Sequence, residues 1–171
     1  MTTEDMKHLL TIVGLALVVA SCSTLTSAER AEREAKIEKA VEKALAERRY
    51  TVDVNMMYPR RGTVQNVSSD YSLEVRGDSL VSYLPYFGRG YSLPIGGGKG
   101  LNFSAPIKNY HSEKGKKGRT RVEIQVDNTE DFLTYSLDIF PNGSTTIDVV
   151  SREREPITFS GQMDIDEDSL K

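Results

Sequence analysis

Leu133-Thr134-Tyr135-Ser136-Leu137-Asp138-Ile139-Phe140-Pro141-Asn142-Gly143-Ser144-Thr145-Thr146-Ile147-Asp148-Val149 is the stretch that decides the fold. Leu133, Tyr135, Leu137 and Ile139 fall at every second position, and Ile147 and Val149 resume that spacing after a break. Successive side chains of a strand point to opposite faces, so a period of two gives one buried face and one polar face. Pro141-Asn142-Gly143 supplies the break, and Asn-Gly between alternating runs is a strong hairpin signal.

The same period extends outward in both directions. Tyr50, Val52, Val54 and Met56 alternate with Thr51, Asp53 and Asn55, and Tyr71, Leu73 and Val75 alternate with Ser72, Glu74 and Arg76. Gly77-Asp78 then makes a turn, and Leu80, Ser82 and Leu84 alternate with Val81 and Tyr83. Val122-Ile124-Val126 and Ile157-Phe159 complete the set. Short strands with turn chemistry between them imply a mainly β fold, an antiparallel barrel or sandwich of about eight strands. Helical patterns do not alternate with the strands, which argues against βαβ units. No internal repeat is visible.

An N-terminal helix precedes the strands. Thr26-Ser27-Ala28-Glu29 has the spacing of a capping box, and from Ser27 to about Arg48 there is neither Gly nor Pro. Glu29 with Arg33 and Glu32 with Lys36 make i,i+4 pairs. The first half offers only alanines to any face, whereas Ile37, Val41, Ala44 and Leu45 form a stripe that can dock on a core. The expectation is a spacer helix, reaching up to ~30 Å over about 20 residues, that becomes a packed element toward its end.

Farther out, Lys7 and His8 lead into an apolar run from Leu9 to Val19, too short to span a bilayer as a helix of about 20 residues. It has the length of a signal-peptide core, and Ala20-Ser21 follow. Val19-Ala20-Ser21-Cys22 resembles the lipobox of bacterial lipoproteins, in which the cysteine thiol carries diacylglycerol and the chain is cut just before it. Cys22 is the sole cysteine, so no internal disulfide competes for it. Two or three acyl chains, at about 0.8 kcal/mol for each buried CH₂, hold such a protein on its membrane. Glu4-Asp5 is out of place in a signal peptide, and Met6-Lys7-His8 makes the better start, so Met1 and Met6 both stand as starts. Ser23 rather than Asp after the cysteine resembles outer-membrane sorting, and the first acid is Glu29, which points to the periplasmic face. The chain thus divides into a signal peptide at 1–21, a lipidated tether and spacer helix at 22–48, an antiparallel β domain at 49–164 and an acidic tail at 165–171.

Composition excludes some functions. A net charge of −3 over 171 residues is too close to neutral to argue for nucleic acid. There is no Cys/His set for zinc, and Asp164, Asp166 and Asp168 lack the glycine and closing Glu of a calcium loop. Neither a metal nor a cofactor is expected. Gly77-Asp78-Ser79-Leu80 spells the motif of a lipase and esterase family, but it sits in a hairpin turn. The one His after the signal region, His111, falls in an expected loop. Asp78-Ser79-Leu80 and Asp168-Ser169-Leu170 also resemble the acceptor sites of Bacteroidetes O-glycosylation. Lys108, Lys114, Lys116, Lys117, Arg119 and Arg121 surround Gly115 and Gly118, which reads as a solvated hairpin loop or a contact for anionic lipid.

Tyr83-Leu84-Pro85-Tyr86-Phe87-Gly88-Arg89-Gly90-Tyr91, followed by Gly96-Gly97-Gly98-Lys99-Gly100, is the densest aromatic stretch. Aromatic faces stack ligands and Arg recognises carboxylate or phosphate, so Tyr83, Tyr86, Phe87, Arg89 and Tyr91 are the candidate binding residues. The alternative is that Tyr83, Phe87 and Tyr91 fill the core near a sheet corner. The glycines are no phosphate loop, because the Lys-Ser/Thr ending and the following helix are missing.

Across residues 45–162 the chain resembles a Bacteroidetes lipoprotein family catalogued as domain-of-unknown-function family 4251. The resemblance rests on Tyr83 through Tyr91, on Gly96-Gly97-Gly98 leading to Leu101-Asn102-Phe103, and on Phe140-Pro141-Asn142-Gly143. Val150-Ser151-Arg152 through Ile157-Thr158-Phe159-Ser160-Gly161 adds to it. It implies location and fold, and carries over no catalytic residue. The expected function is a non-enzymatic cell-envelope lipoprotein that binds an apolar or amphipathic ligand or an envelope partner. A structural or assembly subunit is the alternative, and an enzyme ranks third.

Overall fold

The computed structural model describes residues 26–67, 70–91 and 100–166. Residues 1–25, 68–69, 92–99 and 167–171 lie outside that description, and with them Cys22, the Gly96–Gly98 run and Asp168-Ser169-Leu170. Among the described residues one helix, α1 (Ser27–Glu47), precedes nine strands. These are β1 (Arg49–Pro59), β2 (Gln65–Asn66), β3 (Ser72–Arg76), β4 (Ser79–Leu84), β5 (Leu101–Lys114), β6 (Thr120–Asp127), β7 (Phe132–Ile139), β8 (Ser144–Ser151) and β9 (Ile157–Met163).

Neighbouring strands pair antiparallel in the order β1-β3-β4-β5-β6-β7-β8-β9, and β9 pairs back onto β1. The result is a closed eight-stranded barrel, with two-residue β2 extending the β3 side of β1 through Met56 and Met57. Closure leaves no unpaired edge where all eight strands overlap.

The alternation expected from sequence sets the inside of the barrel. Leu80, Ser82 and Leu84, Val122, Ile124 and Val126, and Leu133, Tyr135, Leu137 and Ile139 are all buried. The one polar member, Ser82, is satisfied because the Tyr135 hydroxyl donates to its Oγ at 3.2 Å. Burial pushes the Tyr135 hydroxyl well above its ordinary range, so it remains a donor. The Asn-Gly hairpin forms as expected: the Gly143 N–H donates to the Phe140 carbonyl at 2.8 Å, and Gly143 adopts φ 81°.

Two strands depart from the expectation. In β1 a bulge between Val54 and Met56 shifts the pairing with β9, so Met57 is buried and Met56 only half-buried. The region around His111, expected to be a loop, is β5, a 14-residue strand paired with β4 and then β6. Pro106 and a bulge between Ile107 and Asn109 interrupt its alternation. The basic connection shrinks to a short 3₁₀ turn at Lys116–Gly118, with Arg121 already in β6.

A compact unit begins at Glu34. Within it Val41 is buried, and Ile37, Ala44 and Leu45 pack against the barrel core, as the apolar stripe implied. Ile165, expected in a solvated tail, also packs on that core. Before Glu34 the capping box forms: the Glu29 N–H donates to Thr26 Oγ1 at 3.3 Å, and the Thr26 N–H donates to Glu29 Oε2 at 2.7 Å. The Thr26 N–H and the Thr26 hydroxyl, the latter at 2.9 Å, both donate to Glu29 Oε2 and hold the carboxyl below its usual range. None of the described helices is long and apolar enough to cross a membrane.

Candidate functional site

At the end of the barrel opposite the helix-packed one, β4 leaves at Leu84, β6 turns into β7, and β8 turns into β9. The aromatic stretch that leaves β4 is pinned to the β8–β9 connection. The Tyr91 N–H donates to the Glu153 carbonyl at 2.7 Å, the Glu155 N–H donates to the Arg89 carbonyl at 3.0 Å, and Gly90 bridges Arg154. Tyr86 Oη lies 3.0 Å from the Arg89 carbonyl oxygen and 3.2 Å from that of Glu155, so either can accept its proton. Gly88 lets that ring approach, since a Cβ there would meet Tyr86 Oη at 2.7 Å. Burial raises the Tyr86 hydroxyl above its ordinary range.

Beneath this rim lies a charged network that sequence reading did not anticipate. Arg154 is 2% exposed, its guanidinium carbon 5.5 Å from the centre of the Tyr86 ring. Its Nε sits 3.4 Å from Asp131 Oδ2, an ion pair in which the N–H is not aimed at the oxygen. Asp131 is also the hub for its neighbours: Ser151 Oγ donates to Oδ2 and the Arg152 N–H donates to Oδ1 at 3.3 Å. Glu155 is buried as well, 3.2 Å from Arg61 Nε, and its Oε2 accepts from the Arg89 N–H at 3.3 Å. Arg-Glu-Arg-Glu at 152–155 reads in sequence as a solvated run, and only tertiary placement buries two of its members.

Arg61, Tyr86, Phe87, Gly88, Arg89 and Glu155 line a cleft of about 340 Å³ on this rim. Three of the five candidate residues, Tyr86, Phe87 and Arg89, therefore meet in one place. Tyr91 stands beside them in the chain and is 65% exposed. Tyr83 does not join them: it faces outward from β4 and stacks on Tyr71, ring centres 5.4 Å apart. At 49%, 57% and 65% exposure, Tyr83, Phe87 and Tyr91 are not core filling. The Arg89 guanidinium is exposed and forms no ion pair among the described residues. The inward-facing positions of the strands are occupied by packed side chains, so the cleft belongs to the rim rather than to the barrel interior.

Chemically the cleft offers an exposed aromatic face, a half-buried phenol and a guanidinium without an ion pair among the described residues. That set can hold an apolar group carrying an anion. No group of three or more metal-ligating side chains occurs among the described residues.

No curated protein matches this sequence. A crystal structure of a DUF4251 family protein from Bacteroides eggerthii DSM 20697 is similar in fold, with a TM-score of 0.58 over 77% of this chain and 89% of that one. The two are 14% identical in sequence, so the likeness speaks to fold alone. The family described as "Domain of unknown function (DUF4251)" matches residues 32–163, which is most of the chain and takes in the barrel, the rim and the docking half of α1. On that match, the chain belongs to the DUF4251 family.

Proposed function

We propose that this protein is a non-enzymatic lipoprotein of the cell envelope, tethered through Cys22 to the periplasmic face of the outer membrane. Its barrel binds an amphipathic anion at the rim cleft. The lipid tether rests on the sequence Val19-Ala20-Ser21-Cys22 after a short apolar run. The binding role rests on one observation: Arg89, without an ion pair among the described residues, beside an exposed Phe87 in a cleft of about 340 Å³. Covering the exposed aromatic face is favourable and a guanidinium recognises carboxylate or phosphate, so a ligand with both an apolar and an anionic part fits the pair.

Dodecyl phosphate, titrated calorimetrically below its micelle concentration, is a suitable probe. Saturable binding is expected, weakened at least about tenfold by Arg89→Ala, in line with a charged hydrogen bond of roughly 1.5–3 kcal/mol. The melting temperature should not move, because Arg89 holds its place through its backbone. Equal binding by wild type and variant would remove Arg89 from the site.

The second reading, an assembly subunit, is favoured by the same exposure of Phe87 and Tyr91, which a partner protein could cover. Lack of dodecyl phosphate binding would support it.

A further inference from the structure

Strand β5 outruns its neighbour. It pairs with β4 only from Leu101 to Pro106, and the Ile107 N–H donating to the Asp78 carbonyl at 2.8 Å is the last bond on that side among the described residues. Beyond it, residues Asn109 to Lys114 pair with β6 alone. The Gly115 N–H donates to the Arg119 carbonyl at 2.7 Å, which fixes the parity of the hairpin. Antiparallel partners alternate between bonded and non-bonded pairs, so Glu113, His111 and Asn109 bond to β6. The N–H and C=O of Tyr110, Ser112 and Lys114 point away from it. These six backbone groups form an open strand edge in an otherwise closed barrel.

That edge faces a groove. Glu42, Leu45, Ala46 and Arg48 from the end of α1 and the residue after it, with Tyr110, His111, Ser112 and Lys114 of β5, line about 510 Å³. Leu45 and Ala46 give it an apolar side. Arg48 adopts φ 51°, a left-handed conformation uncommon outside glycine, and its guanidinium lies 4.5 Å above the Tyr110 ring. Tyr110 Oη is in turn 3.3 Å from Tyr50 Oη, so the ring beneath Arg48 is fixed. Arg48 forms no ion pair among the described residues. Lys114 is paired with Glu42, and Lys108, Lys116 and Lys117 stand exposed nearby.

We propose that this groove takes an extended, acidic segment of a partner polypeptide, which adds to β5 as an antiparallel strand and sets a carboxylate against Arg48. Main-chain hydrogen bonds to Tyr110, Ser112 and Lys114 supply the affinity, and the charge of the rim chooses the sequence. A second copy of this chain is a poor occupant. Pairing two β5 edges about a twofold at Ser112 would set Lys108 of each copy against Lys116 of the other, the way lysines guard natural edge strands. The site lies at the opposite end of the barrel from the rim cleft, and the inference stands whether or not that cleft binds amphiphiles.

The test uses the full chain in detergent with two labelled octapeptides, one alternating Val with Glu and one alternating Val with Lys. The acidic peptide should bind saturably, at least tenfold tighter than the basic one, and should slow hydrogen exchange at the Tyr110, Ser112 and Lys114 amides. Ser112→Pro removes an edge donor that β6 does not use and should weaken binding tenfold or more. Arg48→Glu, which leaves the edge intact, should reverse the preference between the peptides. Loss of acidic-peptide binding in Arg89→Ala but not in Arg48→Glu would place the peptide in the rim cleft and overturn the proposal. Absence of saturable binding, equal affinity for the two peptides, or an Arg48→Glu variant that still prefers the acidic one would each overturn the proposal.

Discussion

Replacing Gly161 with Ala is expected to destabilise the protein by about 3 kcal/mol or more, at the top of the range for overpacking. Gly161 lies on β9 opposite Val54 of β1, at the seam that closes the barrel and next to the β1 bulge. A Cβ there would come 2.1 Å from the Asp53 carbonyl oxygen, 2.9 Å from its carbon and 3.0 Å from the Val54 Cα. All three are backbone atoms, so no side chain can swing aside, and relief requires the two strands to part. Parting them would cost the hydrogen bonds that tie β1 to β9. Urea unfolding of the variant measures the loss, and a change under about 1 kcal/mol would mean the seam is looser than described. Gly88→Ala is the contrast: the atom it would meet is the far end of the Tyr86 side chain, which can yield.

Asp131→Asn should cost about 3 kcal/mol, because it removes the nearer, fully buried counter-ion of Arg154 and leaves only Glu130, whose Oε2 lies 3.9 Å from Arg154 Nη2. Both side chains are withdrawn from water, at 0% exposure for Asp131 and 1% for Arg154. The carboxylate also accepts from Ser151 Oγ and the Arg152 N–H, so the substitution unsettles the start of the β8–β9 connection as well. Removing one member of a buried pair is far worse than removing both. The double variant with Arg154→Met should therefore regain most of the loss, giving strong non-additivity in a double-mutant cycle. Additive losses would show that the two groups act independently. Since the same connection pins Arg89 and Tyr91, Asp131→Asn should also loosen the rim cleft.

The barrel was legible in the sequence because its strands are half-buried, and burial on one face writes a period of two. Leu133 to Ile139 and the Asn142-Gly143 turn carry that signal without interruption. The helix was legible for a similar reason, its capping box and its Ile37-Val41-Ala44-Leu45 stripe both being local. Strand β5 was hidden because from Asn109 onward it pairs with β6 alone and only Tyr110 is half-buried, so too few positions are buried to impose an alternation. The bulge at Val54/Met56 was hidden because a one-residue slip depends on the partner strand, here β9.

The site divides in the same way. Tyr86, Phe87 and Arg89 were found from density of residue type along a short segment, and the fold keeps them together. Tyr83 was drawn in by that same density, yet as the outward member of a strand it faces another part of the surface. Arg154, Asp131 and Glu155 come from two connections, and nothing local marks them as buried. A run of alternating charges normally lies in water, and the reversal here arises only when the β6–β7 and β8–β9 turns meet.

Intact native mass spectrometry of the protein taken from its host's membranes in detergent tests the central claim most directly. The expected species is a chain beginning at Cys22, heavier by covalently attached acyl chains, with a further discrete mass that is lost on denaturation and absent from Arg89→Ala. An uncleaved chain without acyl mass and without any dissociable companion would contradict both the tether and the ligand.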